Sequence, residues 1–285
     1  MIDVKSFYDT DTNTFTYVVS EPDSKQAFIL DSVLDYDAAS GRTATTSADQ
    51  VIAFVKSHDL SISYILETHV HADHLSAAPY LKEQLGGRIG IGSSIGAVQG
   101  VFGPLFNAGE TFKTDGSQFD VLFADGDSFK LGDVDVKVVH TPGHTPACVC
   151  YLAEDCLFVG DTLFMPDFGS ARCDFPNGDA RQLYQSVQKI FALPDSTRMF
   201  MCHDYQPGGR EVLNETSVGE QKAKNLHMRT GVSEDEFVEM REARDAQLSM
   251  PRLILPSVQV NMRAGDLPEP EDNGTRYLKI PLNAV

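Results

Sequence analysis

The sequence predicts an α/β protein in which two β-sheets are packed between layers of helices. Strand-like apolar runs interleave with amphipathic helical stretches, and the region they occupy begins and ends rich in strands. The 285-residue length suits one large domain with an extension, and 42% hydrophobic residues is ordinary for a globular core. Four pieces bearing histidine or aspartate each follow a strand-like run directly, which is where α/β proteins gather functional side chains.

Taken in order, residues 14–20 and 27–31 alternate as strands, with Glu21-Pro22-Asp23-Ser24 turning between them. Ser47 is positioned to cap a helix to about Ser57, with Val51, Ile52 and Val55 on its apolar face. A strand over 62–66 precedes a histidine-rich loop, and residues 75–85 read as a helix stopped by Gly86-Gly87. Strands follow around Val121, over 134–139, over 147–152 and over 156–160. Residues 179–191 form an amphipathic helix with Leu183, Val187 and Ile190 on one face. Beyond Asp204 a Gln206-Pro207-Gly208-Gly209 loop leads to a charged helical stretch over 217–247. A tail with Pro256, Pro268, Pro270 and Pro281 follows.

The run Thr-His-Val-His-Ala-Asp-His places His69, His71, Asp73 and His74 within six positions, a density that packing does not explain. Imidazoles two apart on an extended loop can grip one metal, while Asp73 and His74 point elsewhere and can serve a second position or orient ligands. His144 sits in His-Thr-Pro-Gly-His-Thr-Pro, after the alternating Val134, Val136 and Val138. Asp161 sits at the exit of a short apolar strand in Leu-Phe-Val-Gly-Asp-Thr-Leu, and His203 follows the strand-like residues 198–202.

In this order, from about Phe15 to Asp204, these motifs resemble the metallo-β-lactamase superfamily. The resemblance implies that family's αββα sandwich, with a catalytic domain over 1–205 and a C-terminal extension over 206–285 packing on it. It further implies one metal site from His69, His71 and His144 and a neighbouring one from Asp73, His74 and His203, with Asp161 between them. After Asp161 the chain reads Thr-Leu-Phe-Met-Pro-Asp-Phe-Gly-Ser-Ala-Arg-Cys-Asp-Phe-Pro-Asn-Gly-Asp. It then has Cys-His-Asp-Tyr at 202–205, Thr-Ser-Val-Gly-Glu-Gln-Lys at 216–222 and Asn-Met-Arg-Ala-Gly at 261–265. These segments are similar to those of bacterial persulfide dioxygenases (sulfur dioxygenases), relatives of glyoxalase II. Animal-type members and glyoxalase II carry Gly-Cys-Gly-Arg where this chain has Phe168-Gly169-Ser170-Ala171-Arg172.

What that resemblance implies is oxidation of glutathione persulfide by O2 and water to glutathione and sulfite, at one Fe(2+) per subunit. The ligands it implies are His69, His144 and Asp161, with His71, Asp73, His74 and His203 orienting them or holding a second metal. Arg172 is the first candidate to anchor the substrate carboxylates, Lys222 and Arg263 are further ones, and Tyr205 is a candidate hydrogen-bond donor at the site. The alternatives are a dinuclear-metal thioester hydrolase of the glyoxalase II type and a non-catalytic binding module.

A net charge of −18 argues against nucleic acid and anionic membrane surfaces as partners. The first six residues lack the basic-then-apolar pattern of a signal peptide, and no apolar run is long enough to span a bilayer. A cytoplasmic location is therefore expected. Five cysteines do not suggest a disulfide framework, and Cys148, Cys150 and Cys173 are read as packing residues. Assembly is left open, a homodimer being one expectation.

Overall fold

The structure, a computed structural model, describes residues 1–284. From the N-terminus come β1 (Asp3–Asp9), β2 (Thr14–Ser20), β3 (Gln26–Leu30), β4 (Val33–Asp37) and β5 (Arg42–Ala44), then helix α1 (Thr46–Ser57) and strands β6 (Ser61–Leu66) and β7 (Leu75–Ser76). Next are α2 (Ala78–Leu85), β8 (Arg88–Gly92), α3 (Ile95–Leu105), β9 (Val121–Phe123), β10 (Ser128–Leu131), β11 (Val134–His140), β12 (Val149–Ala153) and β13 (Cys156–Phe158). The chain continues with α4 (Ala180–Phe191), β14 (Arg198–Phe200), β15 (Glu215–Ser217), α5 (Val218–Lys224), α6 (Glu234–Asp245) and α7 (Ile254–Asn261).

Two six-stranded sheets form, ordered β1-β2-β3-β6-β8-β9 and β10-β11-β12-β13-β14-β15. Between them lies an aromatic-rich core in which Tyr17, Phe28 and Leu66 of the first sheet meet Phe129, Tyr151 and Phe158 of the second. The outer face of the first sheet packs Ile29, Ile65 and Ile91 against Val51, Leu81, Val98 and Val258 of α1, α2, α3 and α7. The outer face of the second packs Cys150, Leu157 and Met199 against Leu183, Val187 and Phe237 of α4 and α6. The order is helix, sheet, sheet, helix. With both faces of this sheet covered, β2 is buried along its whole length, its hydroxyl residues included, and β3 is buried and apolar beyond Gln26.

Several local expectations are corrected. Ser47 does not cap α1: its N–H and hydroxyl bind Asp35, and the helix starts at Thr46 without a side-chain cap. The expected helix over 75–85 begins only at Ala78, because Leu75–Ser76 pairs with β4 and Pro79 sits at the first helical turn. The charged stretch over 217–247 is two helices rather than one. Ser217 caps α5, and Ser233 with Glu236 forms a capping box at α6, so each carries its own start signal. The proline-bearing tail contains α7, whose Pro256 falls within the first helical turn, where its missing N–H costs nothing.

Candidate metal centre

Within the second sheet β11 and β13 are both antiparallel to β12, and β14 is parallel to β13, so their C-terminal ends point one way. Those ends release the loops bearing His144, Asp161 and His203. β6 of the first sheet releases the histidine loop, and an isolated bridge between Thr14 and His203 joins the two sheets there.

The histidine loop is held from several sides. Asp31, at the exit of β3, accepts hydrogen bonds from the Thr68 N–H (2.8 Å), the Thr68 hydroxyl (3.0 Å) and His71 Nε2 (3.0 Å). Glu67 Oε2 lies 3.3 Å from the same His71 nitrogen. The carboxamide of Asn261, at the end of α7, donates to the His71 and His74 carbonyls (2.9 and 2.8 Å) and accepts from the Ser76 N–H (2.8 Å). Asp73 is steadied by the Thr14 hydroxyl at 3.2 Å.

These partners also decide which ring nitrogen faces the centre. Nδ1 of His74, His144 and His203 lies against the carbonyls of Leu75 (3.1 Å), Arg172 (2.7 Å) and Asn13 (3.2 Å). A carbonyl only accepts, so each Nδ1 carries the proton and each Nε2 keeps its lone pair. His69 Nδ1 meets the Thr68 hydroxyl at 3.0 Å, whose own proton is committed to Asp31. His71 is turned the other way, with Nε2 on the carboxylates.

The fit to a metal follows from what these side chains leave unpaired. His69 Nε2, His71 Nδ1, His74 Nε2, His203 Nε2 and Asp161 Oδ1 are buried and lack a hydrogen-bond partner. Leaving one such group unsatisfied costs about 1–3 kcal/mol, so five at one place are explained by a shared cation. Imidazole and carboxylate suit iron, zinc or manganese. The donors of His69, His144 and Asp161 lie within 4.8 Å of one another, and those of His71, Asp73 and His74 form a second such group. Asp161 lies between: Oδ2 is 3.8 Å from His69 Nε2 and 3.6 Å from His144 Nε2, while Oδ1 is 3.2 Å from His203 Nε2. His203 Nε2 is also 3.5 Å from Asp73.

The electrostatics divide the rings into two that stay neutral and two that the neighbouring carboxylates draw toward the protonated form. Burial, reinforced by His71, holds His69 well below the usual histidine range and pushes His74 down to about 4, so both stay neutral. Burial works against a charge on His203 too, but Asp73 and Asp161 outweigh it and hold that ring up at about 9. Asp161 is lowered, because His203 and His69 overcome its burial. For His71 the same contest is won by Asp31 and Glu67, which raise it.

His144, Asp73 and Asp161 open on a cavity of about 380 Å³, a size that suits a small ligand. One wall is aromatic: Tyr205 stacks on His203 (5.8 Å between centroids) and meets Phe168 at a tilt (4.7 Å). The substrate anchors expected from sequence fare differently. Arg172 reaches the cavity rim, but its guanidinium forks onto Asp174 with two 2.6 Å bonds and donates to the Ser249 carbonyl at 2.8 Å. All three of its nitrogens are committed, and its contribution to the centre is the backbone carbonyl that orients His144.

Lys222 pairs with Asp195 at 2.6 Å, and Arg263 lies over the Phe112 ring at 4.5 Å; neither lines this cavity. Their expected contact with substrate is therefore withdrawn. The cavity instead carries Arg244 and Arg252, exposed residues that make no salt bridge among the described residues, and the buried Arg241. Sequence reasoning missed these three, and also Asn261, although it lies in the Asn-Met-Arg-Ala-Gly segment already singled out. The five cysteines are buried and unpaired by disulfides, and burial pushes Cys148 up to about 12 and Cys150 to about 11, so both remain thiols.

Residues 9–203 match the family model described as the metallo-beta-lactamase superfamily. The chain belongs to that superfamily. Among the superfamily's members, it is 57% identical to a probable metallo-hydrolase of Burkholderia pseudomallei, over 99% of each chain. It is 52% identical to a beta-lactamase hydrolase-like protein of Xylella fastidiosa, of whose length it spans 65%. It is 31% identical to the mitochondrial persulfide dioxygenase ETHE1 of Homo sapiens, over 88% of this chain and 84% of that protein. The crystal structure of ETHE1 from Myxococcus xanthus superposes with a TM-score of 0.74 at 30% identity, covering 93% of this chain and all of that one. Among the described residues no helix is long and apolar enough to cross a membrane.

Proposed function

We propose that the protein is a persulfide dioxygenase, converting glutathione persulfide, O2 and water to glutathione and sulfite. The observation that carries this reading is the His69–His144–Asp161 group, of which His144 and Asp161 open on the cavity, in a chain similar to persulfide dioxygenases along most of its length. Two imidazoles and one carboxylate on one side of a metal leave positions open for reactants. Ferrous iron held there supplies the unpaired electrons that triplet oxygen requires and that zinc lacks.

The chain's own residues do the rest. Thr68, Arg172 and Asn13 fix the ring tautomers, so that three Nε2 lone pairs converge without rearrangement. Phe164, Phe168 and Tyr205 form an apolar wall that limits water beside the persulfide sulfur. Arg244 and Arg252 offer charge to the two carboxylates of a glutathione moiety.

A second reading, a dinuclear thioester hydrolase, is favoured by one observation: His71, Asp73 and His74 form a further group of donors, and His203 lies between Asp73 and Asp161 beside it. Metal analysis of protein purified without added metal, together with oxygen uptake on glutathione persulfide, separates the two. The dioxygenase predicts about one iron per chain and oxygen consumption. Two zinc ions, no oxygen uptake and turnover of a glutathione thioester would replace it with the hydrolase.

A further inference from the structure

His144 owes its orientation to one bond, from Nδ1–H to the Arg172 carbonyl at 2.7 Å. That carbonyl sits between β13 and α4, in a loop tied to its own start by an isolated bridge of Ser170 to Leu163 but irregular from Ala171 to Asp174. The irregular stretch is held from α6. Arg241, 1% exposed, donates from Nη1 to the Ser170 carbonyl at 3.2 Å, two residues before Arg172. Asp245 accepts the N–H of Cys173 at 2.8 Å, one residue after it. The two side chains are themselves joined at 2.6 Å, one helical turn apart. Behind Ser170, its N–H donates to Nδ1 of the buried His227 at 3.0 Å.

We propose that the buried Arg241–Asp245 pair is a positioning element of the metal centre. It acts through the 170–173 loop to keep the Arg172 carbonyl on His144 Nδ1, and so keeps Nε2 unprotonated and aimed at the metal. The inference rests on the reading of His144 as a ligand. Partners that set the tautomer of a ligating histidine typically change metal affinity 10–100-fold when lost. A charged pair with no polar duty could be replaced by apolar residues without loss, because its desolvation cost offsets its attraction. Here each member has a second bond, and both bonds land on the same loop.

The test replaces the pair as a unit, Arg241→Met with Asp245→Leu, which leaves no orphan charge. Competition of the protein with a chelator for Fe(2+), and separately for Co(2+), measures affinity without reference to turnover. The melting temperature of the metal-free protein is followed in parallel. The expected result is affinity weakened about 10–100-fold, with the metal-free protein melting within a few degrees of the parent. Nitrogen NMR of the His144 ring should show a mixture of tautomers in place of one.

Arg241→Lys, a milder change, keeps the ion pair and gives up the bond to Ser170; it should fall between the two. Arg181→Ala, which cuts the surface link from α4 to Glu234 and Asp235 on α6, should leave affinity unchanged. Unchanged affinity and a single His144 tautomer in both Arg241 variants would overturn the proposal. A His144→Ala variant that retains full affinity would instead sink the reading of His144 as a ligand.

Discussion

Arg244 and Arg252 can be tested by removing their charge. Both line the cavity, both are exposed, and neither belongs to a salt bridge among the described residues, in a chain of net charge −18. Exposed ion pairs are worth about 0.2–1 kcal/mol, and a cleft that excludes part of the solvent puts these toward the upper end. At about 1 kcal/mol each, Arg244→Ala or Arg252→Ala should raise the apparent KM for glutathione persulfide roughly fivefold. The double variant should raise it about 25-fold if the sites act independently. kcat and iron content should hardly move, since neither residue reaches the metal ligands.

Ionic strength adds a qualitative check. In the parent, local attraction opposes the repulsion of an acidic surface, and salt screens both. In the double variant only repulsion remains, so added salt should lower its KM while raising or barely changing that of the parent. Steady-state oxygen consumption at low and moderate salt reads both effects. An unchanged KM in the double variant, or a fall in kcat with KM constant, would refute the assignment.

Gly169→Ala should be costly, because Gly169 has φ +102° and a Cβ there would run into the His227 ring. A loss of at least about 2 kcal/mol is expected, seen as a melting temperature roughly 4–8 °C lower. His227 itself gives a pH dependence. Burial, with Arg241 and Arg244 nearby, pushes it down to about 4, so on acidification the unfolded chain takes up this proton first. The stability it protects is complete above about pH 6.5 and is lost as pH falls toward 4, by no more than about 3 kcal/mol for a shift of that size. Urea unfolding of metal-free His227→Asn should show a shallower acid slope than the parent; identical slopes would remove His227 from the account.

The architecture and the clustering of metal-capable side chains were legible because their signals are local. Period-two apolar runs gave the strands, and a histidine-dense loop after β6 needs no tertiary context to be noticed. What was not legible is contact between distant segments. Asn261 binds residues more than 180 positions away, and nothing in its neighbourhood marks it above Arg263, which looked the better candidate because it carries charge. Arg172 was selected for its guanidinium, yet Asp174, two residues on, neutralises it, and the carbonyl that matters is common to every residue. Arg244 and Arg252 lie in a stretch read as a solvated helix and tail, where charge is ordinary. Arg244, in the last turn of α6, and Arg252, beyond that helix, meet over the cleft only in the folded chain.

A division of labour emerges from where the contacts fall. The sandwich supplies all seven metal-capable side chains, from loops at the ends of β6, β11, β13 and β14. The segment after β14 supplies Tyr205, Arg241, Arg244, Leu248, Arg252 and Leu253 of the cavity wall. Exposed Arg244 and Arg252 can change with little consequence for stability, because they make no salt bridge among the described residues and Arg252 adds only a long 3.4 Å bond to the Asp11 carbonyl. Arg241 and Asn261 cannot change without consequence for the metal centre, since each bonds backbone carbonyls in the loops that carry its side chains. On the proposed dioxygenase reading, substrate preference is therefore expected to be separable from metal binding at the rim of the cavity and inseparable from it one layer below. Variation at the two rim arginines should alter which persulfide is accepted while iron content stays constant, and variation at Arg241 or Asn261 should alter both together.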